Sequence, residues 1–259
     1  MARMILRKKD TLIVLVSYLI MSVFLFIRLA FRNGNLSTDL LYGDFITIEE
    51  MYMTILVIWV TVLTSFLFSI ENKADMLPVL SGTQNERRTF ASVKIRVALL
   101  LSNALYLVYL LLVLAGWIVA FGFRFDMPIV GEYYLGAYID NPSVTNMGSV
   151  LAIHLTGAFL SVNVTTLICL YVSHKLNKPL TTSVLITVVS FIMGMCAKLG
   201  PLGILATLSP IVFVQVDEAY DWMIEVMDFN LSLYMIDFVV YIIVALYMVV
   251  KLRNIFKVK

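Results

Sequence analysis

Six stretches of this chain are apolar, almost free of charge, and about as long as a membrane is thick. They are Thr11–Phe31, which carries only Arg28, and Met51–Ile70 and Val97–Phe123, which carry no charge. Gly148–Ser173 carries only His154, Pro179–Ala197 is uncharged, and Asn230–Val250 carries only Asp237. A helix crosses the hydrocarbon core with about 20 residues. The whole chain is 61% hydrophobic and 14% charged, where soluble domains carry about 45–50% and 25%. That balance excludes a soluble enzyme, a nucleic-acid-binding module and a disordered chain. The sequence predicts an all-α membrane protein. Residues 1–259 form one transmembrane domain with helices over 11–31, 51–70, 97–123, 148–173, 179–197 and 230–250.

Leu199–Val216 is also uncharged, but Gly200, Pro201, Gly203 and Pro210 interrupt it. Two prolines break a straight helix, so residues 199–216 read as a re-entrant segment between helices 5 and 6. Such backbone persists at membrane depth only under cover of protein or a water-filled cavity.

Lys and Arg set the orientation. The N-terminus holds four, the loop after the second span five, the loop after the fourth two and the C-terminal tail four. The opposite side holds Arg28, Arg32, Arg124 and Lys198. Both termini are therefore expected in the cytoplasm. Twelve of the 17 acidic residues fall in the three segments assigned outside, among them Asp44, Glu49, Glu50, Glu218, Asp221 and Glu225. The N-terminal run lacks a small-x-small cleavage site and is not read as a signal peptide. Cys169 and Cys196 lie in spans and are expected as free, buried thiols.

Catalytic inventory points away from an enzyme. His154 and His174 are not at metal-ligand spacing, and there is no H-E-x-x-H, no G-x-S-x-G and no P-loop. If the chain uses ATP, another polypeptide binds it.

The longest inner loop spans residues 71–96 and contains an apolar island, Met76-Leu77-Pro78-Val79-Leu80, after Asp75. A basic lead-in with Glu86, Arg87, Arg88, Lys94 and Arg96 follows. An exposed apolar turn suits a partner surface, and the basic residues suit the headgroup side of the inner leaflet. A plain connector that dips into the interface fits the same residues.

Glu71, the apolar stretch around Leu77-Pro78, Thr83-x-x-x-Arg87-Arg88 and Lys94 leading into the third span resemble the intracellular loop of ABC-2-type transporter permeases, the small bacterial type. The layout of six spans with both ends inside is similar too, as is Leu208-Ser209-Pro210 between spans five and six. The resemblance implies a non-catalytic permease subunit of an ATP-driven exporter in the bacterial plasma membrane. It implies a separate ATPase that carries ATP and Mg, a second permease chain and membrane lipids as partners, and no nucleic acid. Asp75–Leu80 would insert into the ATPase, Glu86–Arg88 would flank that contact, and His174–Lys178 would add a minor one. The chain departs from many such permeases in having only about ten residues before span one.

Three ionisable residues and an amide inside or beside the spans are candidates for the transport pathway. Asp237 lies in span six, and Lys198 at the outer end of span five is its natural partner, either as a structural ion pair or as a cargo contact. His154 lies about two turns into span four, with Asn163 further along. Outer residues 216–229 alternate acidic and apolar positions at helical spacing and carry Trp222. They read as an interfacial helix or as an acidic exit for cationic cargo. Fourteen Met and 32 aromatic residues suit amphipathic or hydrophobic cargo, such as bacteriocin-like peptides, since Met adapts to varied shapes. An ATP-independent carrier or channel using Asp237 and His154 is the alternative.

Overall fold

A computed structural model describes residues 9–32, 38–72, 84–127, 146–176, 178–195, 209 and 232–255. Among these the chain is all-α, in six helices: α1 Lys9–Arg32, α2 Thr38–Asn72, α3 Gln84–Phe121, α4 Met147–Leu176, α5 Pro179–Met195 and α6 Ser232–Ile255. Each of them carries most of one apolar run of the sequence. Two helical stretches, Ser92–Phe121 and Met147–Leu176, are long and apolar enough to cross a membrane.

The helix ends follow local chemistry. Pro179 opens α5, where its fixed φ fits and no N–H is needed. Gly122 stops α3 with φ of +70°, and its N–H donates to the Ile118 carbonyl at 2.9 Å. Only glycine adopts that conformation without cost. Asn146 caps α4. Its Oδ1 accepts the Ser149 N–H at 2.8 Å while Ser149 Oγ donates to the Asn146 carbonyl at 2.5 Å. The next two donors of α4 are also satisfied: Met147 N–H reaches the Met127 carbonyl and Gly148 N–H reaches the Phe125 carbonyl, both at 3.0 Å. The start of α4 is thereby tied to the chain leaving α3.

That tie requires Gly148. A Cβ there would lie 2.4 Å from the Phe125 carbonyl oxygen, a backbone atom that cannot swing aside. Gly148→Ala should lower stability by about 1–3 kcal/mol, the usual cost of forced overpacking. Thermal unfolding in detergent checks this, and an unchanged melting point would contradict the close approach.

Helices α2, α3 and α4 pack against one another, and each remaining helix sits chiefly on one of their edges. α1 lies on α2 and α3, α5 on α2 and α4, and α6 on α3 and α4. The interior holds large aromatics, with Trp117 fully buried between Phe45, at 5.4 Å edge-on, and Phe125, stacked at 5.7 Å. It also holds many buried hydroxyls, including Ser22, Thr61, Thr64, Ser65, Ser102, Ser161, Thr165 and Thr166. The outside is apolar. Ile13, Ile20 and Phe24 of α1, Leu180, Val184, Val188 and Ile192 of α5, and Ile243, Leu246 and Val250 of α6 are exposed.

The structure departs from the sequence reading in several places. α2 begins thirteen residues before Met51, so Glu49 belongs to a helix and is buried, not part of an outer loop. α3 begins at Gln84, which makes the basic lead-in and the third apolar run one helix of 38 residues. Lys94, read as suiting the headgroup side of the inner leaflet, is buried in α3, within electrostatic range of His174. α3 stops two residues short of the predicted limit, and α6 runs five residues further. Asp75–Leu80, Cys196, Lys198 and residues 217–229 lie outside the described residues. Of 199–216 only Ser209 is described. It is buried, and its Oγ donates to the Ser190 carbonyl of α5 at 2.8 Å.

Candidate functional site

One carboxylate is buried among the described residues, Glu49 of α2, at 2% exposure. It is held at that depth because α2 continues its inward stripe upstream of the apolar run. Phe45, Ile48, Tyr52, Leu56, Val60 and Leu63 are all buried at three- and four-residue intervals, and Glu49 and the buried Met53, four apart, fall in the same stripe. Tyr109 of α3 donates its hydroxyl to Glu49 Oε1. On the other oxygen, Glu49 Oε2 lies 3.2 Å from His154 Nδ1 of α4. His154 and Tyr109 are both fully buried. Three helices thus each contribute one group, and both carboxylate oxygens are engaged. A carboxylate without partners at such depth costs several kcal/mol, so the two contacts are what permits Glu49 there.

Tyrosines extend this centre. The Tyr52 and Tyr109 rings lie 5.1 Å apart. The Tyr52 hydroxyl donates toward Ser22 Oγ at 2.5 Å and lies 3.1 Å from the Tyr18 hydroxyl. Tyr18 in turn donates to the Leu105 carbonyl at 3.1 Å, which fastens α1 to α3. Tyr106 donates to the Leu155 carbonyl at 2.9 Å, gripping α4 one residue beyond His154.

Further along the same helices a neutral lock follows. Asn103 Nδ2 donates to Asn163 Oδ1 at 3.0 Å, and Asn163 Nδ2 donates to Asn103 Oδ1 at 3.2 Å. Each amide gives its second proton to its own helix, at the Leu99 and Phe159 carbonyls. All four N–H donors are used, which fixes both amide orientations. Beyond it Thr166 Oγ1 lies 2.8 Å from Ser102 Oγ, Thr61 and Thr187 hydroxyls meet at 3.3 Å between α2 and α5, and Ser173 Oγ donates to the Ser65 carbonyl at 3.0 Å. On α4, His154, Ser161, Thr165, Cys169 and Ser173 are all buried at spacings of seven or four residues. They form a seam about 28 Å long at 1.5 Å per residue.

Among the predicted pathway residues, His154 is buried in this interior and Asn163 is half-buried, in a separate layer. Asp237 is on α6 with its side chain outside the described residues, as Lys198 is altogether. Glu86, Arg87 and Arg88 lie in the first turn and a half of α3, their side chains likewise outside the description. Cys169 is a free, buried thiol. Sequence reasoning missed Glu49, Tyr109 and Asn103. For Glu49 the available signal was the helical stripe that runs through it from Phe45. Tyr109 and Asn103, inside an uncharged run, carry no such signal. Among the described residues no three His, Cys, Asp or Glu side chains converge as a metal site. In comparisons with known proteins, no family model, no curated protein and no solved structure matches this chain.

Proposed function

We propose that this chain is the transmembrane subunit of an ATP-driven ABC exporter, with six spans, both termini in the cytoplasm, and ATP hydrolysed by a separate subunit. The observation that carries this reading is the length of the two helices flanking the inner loop. α2 has 35 residues and α3 has 38, about 52 and 57 Å at 1.5 Å per residue, against a hydrocarbon core of about 30 Å. They overrun the membrane and are joined by residues 73–83, where the resemblance puts the ATPase contact. The apolar outside and hydroxyl-rich inside support six spans, because lipid-embedded helices pack through small and polar residues. Ser209 supports the re-entrant segment: it follows the end of α5 by fourteen residues yet bonds to Ser190, inside α5. A second permease chain, either another copy or a related one, completes the conduit, and amphipathic or hydrophobic molecules, including bacteriocin-like peptides, are the cargo.

Co-purification tests the assignment. A P-loop ATPase encoded beside this chain should be retained by the tagged permease in detergent, and loss of all such retention would remove the reading. Topology is checked separately on a background without Cys169 and Cys196. Tyr134→Cys and Glu225→Cys should react with an impermeant reagent outside intact cells, whereas Gln84→Cys and Lys257→Cys should not. Labelling of Gln84→Cys from outside would invert the orientation.

The buried Glu49–His154 pair favours one second reading, an ATP-independent carrier driven by ions. Transport by the purified chain alone, without any ATPase, distinguishes it.

A further inference from the structure

We propose that the Thr165 hydroxyl of α4 anchors a buried water molecule that bridges α4 to α2 beside α5. Thr165 is 0% exposed, and among the described residues its Oγ1 has no hydrogen-bond partner. Other threonines of these helices are satisfied by their own backbone. Thr64, Thr156 and Thr166 each donate to the carbonyl four residues back at 2.7 Å. Thr165 does not. A buried hydroxyl left unpaired is costly, and valine would fill the same place without that cost.

The helix register identifies the groups around it. His154 meets Glu49 of α2, and Cys169 is hydrogen-bonded to Thr64 of α2. Each pair is 105 residues apart in the chain. Ser173 reaches the Ser65 carbonyl. α2 and α4 therefore run parallel along one seam, and Thr165, about one turn before Cys169, faces it. The same separation sets Thr165 level with Val60, flanked on α2 by Thr61 and Thr64. Thr61 Oγ1 lies 3.3 Å from Thr187 Oγ1, so α5 closes the third side.

The donors and acceptors match a water. Thr61 and Thr64 spend their protons on the Ile58 and Val60 carbonyls, and a hydroxyl oxygen that donates once still accepts. A water takes the Thr165 proton and gives two of its own to those oxygens. Buried water needs two to four polar partners, and such a bridge is nearly as strong as a direct bond. The three helices bring no charge to this level. Residues 57–65, 161–169 and 182–190 contain no Asp, Glu, Lys, Arg or His. A cation held by hydroxyls alone is strongly disfavoured at membrane depth. The site needs only the packed bundle, so it stands or falls separately from the exporter reading.

The test uses the full chain, perdeuterated with protonated threonine methyl groups, in nanodiscs of deuterated lipid. Magnetisation from water should reach the Thr165 methyl group and miss that of Thr166. Thr166 is an equally buried neighbour whose hydroxyl is bonded to Val162 and Ser102. No transfer to Thr165 would overturn the proposal. Thr165→Val should leave the melting temperature level or lower it, because the bridge is lost. A rise would show that the hydroxyl had been bare, and would also overturn it. Replacing sodium and potassium by choline should leave the Thr165 methyl resonance in place. A shift that depends on either cation would put an ion there instead of water.

Discussion

Replacing His154 with glutamine should destabilise the folded protein by about 3–5 kcal/mol, the cost of removing one partner from a buried charged pair. The surviving Glu49 would keep its bond from Tyr109 but lose the group that balances its charge. Glu49→Gln should cost much less, about 1 kcal/mol, because a lone imidazole is readily neutral and the loss is then one of hydrogen bonding. The double replacement should recover most of the His154→Gln loss, since no uncompensated charge remains. Denaturation of all three variants in the same detergent measures these differences. Equal losses from the two single variants, adding in the double, would show that the pair carries no net charge coupling.

An effect of similar size follows from the proposed exporter reading, far from that pair. On that reading Leu77→Asp with Leu80→Asp should abolish retention of the proposed ATPase while the chain still inserts into the membrane. Each carboxylate pressed into an apolar cleft costs on the order of 2 kcal/mol or more. Two together weaken association by about a thousandfold, at 1.4 kcal/mol per factor of ten. Undiminished co-purification of the double variant would remove the island from the docking contact and leave a plain connector in its place.

The helices of this protein were legible because each carries a long apolar run nearly free of charge. Pro179 and Gly122 mark ends by chemistry that needs no tertiary knowledge. The upstream part of α2 was hidden for the opposite reason. Asp44, Glu49 and Glu50 read as solvated loop charges, although the stripe from Phe45 through Ile48 to Tyr52 and Leu56 already kept the helical spacing. A buried charge contradicts the average rule used to find spans, and it becomes readable only when its partners are known. Those partners are Tyr109 and His154, 60 and 105 residues away. His154 could be singled out as an ionisable residue in an apolar run, but nothing local tied it to Glu49. Asn163 was likewise visible, while its mate Asn103 was one polar residue in an uncharged run.

The two long helices have a mechanical consequence. Glu49 lies 23 residues from the Asn72 end of α2 and Tyr109 lies 25 from the Gln84 end of α3, about 35 and 37 Å along continuous helix. They are two rods joined in sequence by residues 73–83, and the far part of one carries the carboxylate that the far part of the other holds. A tilt of only ~5° about those joined ends displaces a point that far away by about 3 Å, which is as long as a hydrogen bond. On the proposed reading, an ATPase that tips those ends by that angle has enough leverage to pull Tyr109 and Glu49 off each other, or both away from His154, without bending either helix.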